Sequence, residues 1–219
     1  MSPILFRLLF AVLFIFCIKI SFASPITGNP NGNVTLIEYF DYECPHCRRM
    51  EPVIESLQAE YPNLRVIHRV TPLLTPVSRG IASVALAAQA QSQAIWLRIH
   101  EALMQMNSTP TLNDVETIAL GVGLSHQALL SAPQDKRLQQ QINQNIQLAS
   151  HHAINGGLYL PIMVFGQSNS NGQPIVLTGE QPRALLSAIV RQLGDQDKKN
   201  VQLVQKQKRQ KSRKHSSER

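Results

Sequence analysis

A chain of 219 residues is long enough for one domain with a substantial core, or for two small ones, and 43% of its residues are hydrophobic. Its formal net charge of +7 sits at the ends: residues 195–219 carry nine Lys and Arg against three Asp and Glu, and Arg7 and Lys19 add two more positive charges. What remains has a net charge of −1, which excludes a nucleic-acid-binding face spread over the folded part.

Residues 1–23, MSPILFRLLFAVLFIFCIKISFA, join Arg7, an apolar run over 8–18 and the small residues Ser21 and Ala23. This pattern predicts a signal peptide cut after Ala23 and an exported protein. An uncleaved anchor is the alternative, but the run is short for a span and Lys19 closes it. Lipid attachment at Cys17 is disfavoured by the bulky Phe14-Ile15-Phe16 before it. Cleavage removes Cys17 and leaves Cys44 and Cys47, which form one CxxC. A bridge between them closes almost no loop and so staples nothing. Redox chemistry or metal binding explains such a pair better.

Residues 24–33 read as a short lead-in. Residues 34–41 (VTLIEYFD) predict a buried strand. A helix follows from Cys44-Pro45, with Met50, Val53, Ile54 and Leu57 on one face and Pro52 expected to kink it. Residues 64–70 (LRVIHRV) predict a second strand, parallel to the first. Residues 77–152 read as all-helical, with four apolar stripes that are core rather than a cofactor box. Strands return at 162–165 and 174–177 across a turn-rich link, and a last helix covers 182–193, with Pro182 in its first turn. Residues 195–219, rich in Lys, Gln and Arg, are expected to be a disordered basic tail. No internal repeat is evident.

The chemistry centres on Cys44-Pro45-His46-Cys47. A thiol attacks a disulfide only as thiolate. Cys44 falls at a helix start, where unpaired N–H groups and the helix dipole favour a negative charge, and Pro45 takes a position that needs no N–H. His46, if cationic, adds to the effect. Lowering a thiol pKa from about 8.5 to about 4.5 stabilises the thiolate by roughly 5 kcal/mol and makes the disulfide a stronger oxidant. Cys47 extends the apolar stripe of Met50, so it is expected to be covered while Cys44 is exposed. His100-Glu101 lacks the second His of a zincin motif, His68 and His126 read as ordinary structural residues, and His151-His152 as a solvated helix end.

The segment Glu38-Tyr39-Phe40-Asp41-Tyr42-Glu43-Cys44-Pro45-His46-Cys47 resembles the DsbA-like branch of the thioredoxin superfamily, and the resemblance extends over residues 34–193. It implies an α/β thioredoxin fold with an all-helical insertion, in a domain spanning 24–194. It makes Glu38 a buried carboxylate that moves protons for the resolving Cys47; the other reading of Glu38 is a strand-end carboxylate facing solvent. It makes Pro161 a cis-proline facing the CxxC and leaves the backbone of Leu160 to pair with an extended substrate. Relatives usually carry Thr or Val before that proline, and residues 155–159 form a longer stretch than usual. The resemblance further implies a periplasmic disulfide donor that needs no cofactor, acts on reduced, unfolded exported proteins and is recharged by a membrane redox partner. The short lead-in favours a monomer. Two alternatives stay open: an isomerase or reductase of the same fold, and a copper or zinc carrier using Cys44, Cys47 and His46. The basic tail is either a solvated terminus or a weak contact with an anionic lipid surface or nucleic acid.

Overall fold

The computed structural model describes residues 24–168 and 172–217. The expected signal peptide and Cys17 lie outside the described residues. Five strands form one mixed sheet: β1 (Ile26–Gly28), β2 (Val34–Phe40), β3 (Leu64–Val70), β4 (Ile162–Gln167) and β5 (Ile175–Thr178), in the order β1-β3-β2-β4-β5. β2 and β3 are parallel; every other neighbouring pair is antiparallel. The central strand β2 is covered on both faces, which is why it reads as a nearly unbroken hydrophobic run. β3 alternates, with Leu64, Val66, His68 and Val70 inward. Its polar member, His68, is register partner to Glu38 of β2, so two ionisable groups share one buried face.

Helix α1 (Pro45–Glu60) joins β2 to β3 and runs on past Pro52. The helical insertion then occupies α2 (Pro76–Gln91), α3 (Gln93–Met104), α4 (Leu112–Gly121), α5 (His126–Ser131), a 3-10 turn and α6 (Lys136–Ser150). Thr75 starts α2 with a reciprocal cap to Ser78, and Thr111 does the same for α4 with Asp114. α2 buries nine residues, from Ser78 to Ala88, and is the hub on which the other insertion helices pack. Asn145 of α6 ties the insertion to the sheet: its amide donates to the Val70 carbonyl at 3.0 Å and its oxygen accepts from Arg69. One core cluster lies under the insertion and includes both cysteines; a second packs α1 and α7 (Arg183–Ser217) on the sheet through Met50, Ile54, Phe165, Leu186 and Val190.

Two elements differ from the sequence expectation. Residues 26–28 form an edge strand within what read as a lead-in. Three residues beside Asn-Pro-Asn-Gly carry no periodic signal, and pairing with β3 alone makes the strand. The second difference is the tail. α7 does not stop near Leu193 but continues to Ser217. Absence of an apolar stripe says that a segment packs on nothing. It does not say that it is non-helical, and from Asp195 onward the chain has neither Gly nor Pro and many straight-chain helix formers. Asn33 donates to Asp197 at 2.6 Å, holding the start of this extension against the domain.

Candidate active site

Cys44 is the N-cap of α1, in extended backbone geometry, and Pro45 fills the first helical position. The Cys44 sulfur accepts the Cys47 backbone N–H at 3.4 Å. Both cysteines are free thiols. The Cys44 thiol is lowered to about 6: a hydrogen bond from the Cys47 thiol contributes most, burial opposes it, and the backbone N–H groups of Cys47 and His46, with the His46 ring, add to the lowering. At pH 7 such a thiol is about ten-to-one thiolate. Cys47 goes the other way. Burial, the hydrogen bond it gives to Cys44 and the Cys44 charge all push its thiol well up. The expected exposure of Cys44 is corrected: Cys44 is 4% exposed and Cys47 fully covered, because Cys44 forms the floor of a groove rather than a rim.

That groove, about 650 Å³, is lined by Cys44, Pro45, His46, Leu73, Leu74, Leu158, Tyr159, Leu160, Gly179 and Glu180. Its walls are apolar, with Leu74 51% and Tyr159 58% exposed. The Leu160–Pro161 peptide is cis. It places the Leu160 carbonyl 3.9 Å from the Cys44 sulfur, while the sheet ladder begins only at Ile162. The cis peptide expected at Pro161 from the resemblance thus lies beside Cys44. Asp41 shapes the far wall by accepting from the backbone N–H groups of Leu73 and Leu74, at 2.9 and 3.1 Å.

At the edge of the groove, exposed His46 meets Glu180 from the β5–α7 connection, Nδ1 to Oε1 at 2.5 Å, and Arg49 donates to the same oxygen. Arg49, and then His46, hold the Glu180 carboxyl down at about 2. Nothing in the sequence marks Glu180, which lies 134 positions from His46.

Beneath Cys47 the structure gathers a second ionisable cluster. Glu38 is fully buried and neither carboxyl oxygen has a hydrogen-bond partner; its Oε2 lies 3.2 Å from His68 Nδ1. Burial first, then the charges of Glu51 and Cys44, push its carboxyl well above the usual range, against a smaller opposing pull from His100. Burial likewise pushes His68 down, against the charge of Glu51, so burial disfavours the charged form of both Glu38 and His68. Glu51 behaves differently. Burial opposes its charge, but the charge and hydrogen bond of His100 and the charge of His68 outweigh this and lower its carboxyl. His100 Nε2 lies 3.2 Å from Glu51 Oε1 and Nδ1 3.2 Å from the Tyr42 hydroxyl, with Trp96 stacked on the ring at 4.6 Å.

Of the two readings of Glu38, the structure has the buried one; the sequence alone reads His68 as an ordinary structural residue and His100 only as lacking a zincin partner, and does not single out Glu51. A signal existed: Glu51 falls four residues after Cys47 on the covered face of α1, a charged residue where the stripe calls for an apolar one. His126 is exposed, and His151 and His152 close α6, where the His152 ring meets Tyr39 at 5.8 Å and does not reach the cysteines. Among the described residues no group of three or more His, Cys, Asp or Glu converges as a metal site.

Comparison with known proteins agrees with this geometry. Residues 35–190 match the family model of the DSBA-like thioredoxin domain. A thioredoxin-like oxidoreductase from Silicibacter pomeroyi superposes with a TM-score of 0.66 at 31% identity, covering 77% of this chain and 91% of that one. The thiol:disulfide interchange protein DsbA of Burkholderia cepacia is 27% identical over 176 residues, 78% of this chain and 79% of that protein. A Na(+)/H(+) antiporter, NhaA 3 of Salinispora tropica, is 28% identical over 133 residues; the match takes in 60% of this chain but only 20% of the antiporter. The matched region holds four of the five strands, the insertion and the Cys44–Cys47 pair, and the chain accordingly belongs to the DsbA-like thioredoxin-domain family of thiol–disulfide oxidoreductases.

Proposed function

We propose that this protein is an exported dithiol oxidase that donates the Cys44–Cys47 disulfide to reduced, unfolded exported proteins in the periplasm. The observation that carries the reading is the split between two thiols three residues apart: Cys44 lowered to about 6 on the floor of an open apolar groove, Cys47 raised and covered. A substrate thiolate attacks the Cys44 sulfur of the disulfide. Cys47 leaves and takes up a proton, Glu38 being the buried carboxyl placed to give it. A second substrate thiolate then attacks the substrate sulfur of the mixed disulfide and releases Cys44, whose low pKa makes it a good leaving group. The Leu160 carbonyl and the cis Pro161 turn border the sulfur where an extended chain pairs, and Leu74, Leu158 and Tyr159 offer it an apolar wall. His46 contributes positive potential beside Cys44, and Pro45 fixes the helix start.

The thiolate contribution is smaller than a thiol near 4.5 would give. With Cys44 at about 6, ionisation stabilises the reduced form at pH 7 by at most about 1.4 kcal/mol, which is about 30 mV for this two-electron couple. On this reading the protein is recharged by a membrane partner, exported by residues 1–23 and acts as a monomer. Reactivation of a reduced, unfolded model protein tests this. The oxidised protein should form its disulfides stoichiometrically, and Cys44→Ser should form none. An oxidised protein that only reshuffles existing wrong disulfides would make it an isomerase instead.

A further inference from the structure

Each turnover adds a proton to the Cys47 sulfur or removes one, yet Cys47 and Glu38 are both fully buried. The proton needs a way between Glu38 and water. Glu38 sits mid-sheet, and its two register partners are Met163 on β4, which carries no proton, and His68 on β3. His68 Nδ1 is 3.2 Å from Glu38 Oε2. The other nitrogen, Nε2, is 2.7 Å from the hydroxyl of Thr27, which lies half-buried on the edge strand β1. β1 is held there by its ladder to β3 and by the His68 backbone N–H, which donates to the Pro25 carbonyl at 2.9 Å.

We propose that His68 and Thr27 form the proton path of the resolving cysteine, carrying one proton between the edge of the sheet and Glu38 in each half-reaction. The proposal rests on the reading that Cys44–Cys47 exchanges disulfides. The hydrogen-bond network sets its direction. The Gln58 amide donates to the Thr27 oxygen, so the Thr27 hydroxyl is placed to donate its own hydrogen to His68 Nε2, which leaves the ring hydrogen on Nδ1, facing Glu38. When Cys47 leaves as thiolate, Glu38 gives it a proton. Nδ1–H refills Glu38 once the carboxyl rotates into line, Thr27 refills Nε2, and water refills Thr27. One proton enters for the one that Cys47 takes, and the ring ends with its hydrogen on Nε2. Reoxidation of the cysteines runs the same steps backwards and restores the first tautomer, so the tautomer of His68 follows the redox state.

The other groups facing His68 do not supply an equivalent route. From α1 comes Glu51, and from α3 come Trp96 and His100; the His68 and His100 rings are 4.8 Å apart without a hydrogen bond between them. Glu51 borders a cavity of about 550 Å³ beside α1, but the path to it from Glu38 is broken at that ring contact. Glu51 instead supplies the fixed negative charge that disfavours a second one on Glu38.

The test uses the full-length protein with Thr27→Val, which keeps the shape and suits a strand, Thr27→Ser, which restores the hydroxyl, and His68→Gln. Stopped-flow oxidation of a reduced peptide with one cysteine pair is followed from pH 5 to 8 in water and in deuterium oxide. Thr27→Val and His68→Gln should slow the reaction on the order of tenfold and enlarge the solvent isotope effect, and Thr27→Ser should run near the parent rate. For Thr27→Val and Thr27→Ser the Cys44 titration and the equilibrium with glutathione should stay unchanged. A Thr27→Val protein at the parent rate with the parent isotope effect overturns the path. So does a Thr27→Ser protein as slow as Thr27→Val, which would mean a packing effect. Failure of the parent protein to oxidise the peptide at all would sink the functional reading itself, a result distinct from both.

Discussion

Two clusters of the same residue types flank the cysteines, and their surroundings drive them in opposite directions. On the outside, Glu180 meets His46 and Arg49 in water, and the nearby cation holds its carboxyl at about 2. On the inside, Glu38 meets His68 fully buried and without a hydrogen bond, and burial pushes its carboxyl up. Burial alone does not decide the sign, because Glu51 is almost as deeply covered and still lowered, having won a hydrogen bond and charge from His100. A buried carboxyl follows its partner when it has one and its solvation when it has none. The three carboxylates thus sit as an exposed ion-paired group, a buried group with a histidine partner and a buried group without a hydrogen bond.

The largest effect expected from breaking this comparison is at Glu51. Glu51→Leu leaves His100 without its partner and should cost about 3–5 kcal/mol in urea unfolding at pH 7. A loss below 1 kcal/mol would mean that Glu51 carries no charge in the folded protein. Glu38→Gln should act in the opposite direction on stability. A carboxyl raised on folding stabilises the fold below its unfolded pKa of about 4.5 and loses that contribution as pH rises through the folded value. Removing it should raise Tm at pH 8 more than at pH 4, while slowing disulfide exchange about a hundredfold. A Tm change independent of pH would contradict the raised carboxyl. Glu180→Gln is the weakest break. A lowered carboxyl stabilises above its unfolded pKa and is lost as pH falls through about 2, but this one is exposed and screened by solvent, so urea unfolding at pH 7 should be nearly unchanged. Smaller still is the effect of ending the chain at residue 200. Exchange activity should be unchanged, and the shortened protein should elute earlier from a cation exchanger because seven Lys and Arg have been removed against one Glu.

The sequence made much of this legible. β2, β3 and α1 followed from β-branched runs and from a stripe that starts at Cys47. The cysteine pair was marked by a motif whose chemistry needs a helix start, and Leu160-Pro161 was marked by the family resemblance. What stayed hidden has two causes. β1 and the His46–Glu180 contact depend on pairing between distant segments, which no local pattern encodes. His68, His100 and Glu51 lay in view on buried faces, but a covered histidine looks the same in sequence whether it packs or carries a proton. Only the register of Glu38 against His68 and the 2.7 Å step to Thr27 separate the two cases. The continued α7 helix was misread because a packing signal was used to judge helicity.

The claim that most of this depends on is that the two thiols titrate far apart. Ultraviolet absorbance of the thiolate in the reduced protein, followed from pH 3 to 11 and repeated with Cys47→Ser, measures it directly. The account predicts one sulfur ionising near pH 6 and the other staying protonated beyond the usual thiol range, with the low transition retained, at a somewhat higher pH, when Cys47 is replaced. A single transition near pH 8.5, or a low transition that disappears in Cys47→Ser, would contradict it.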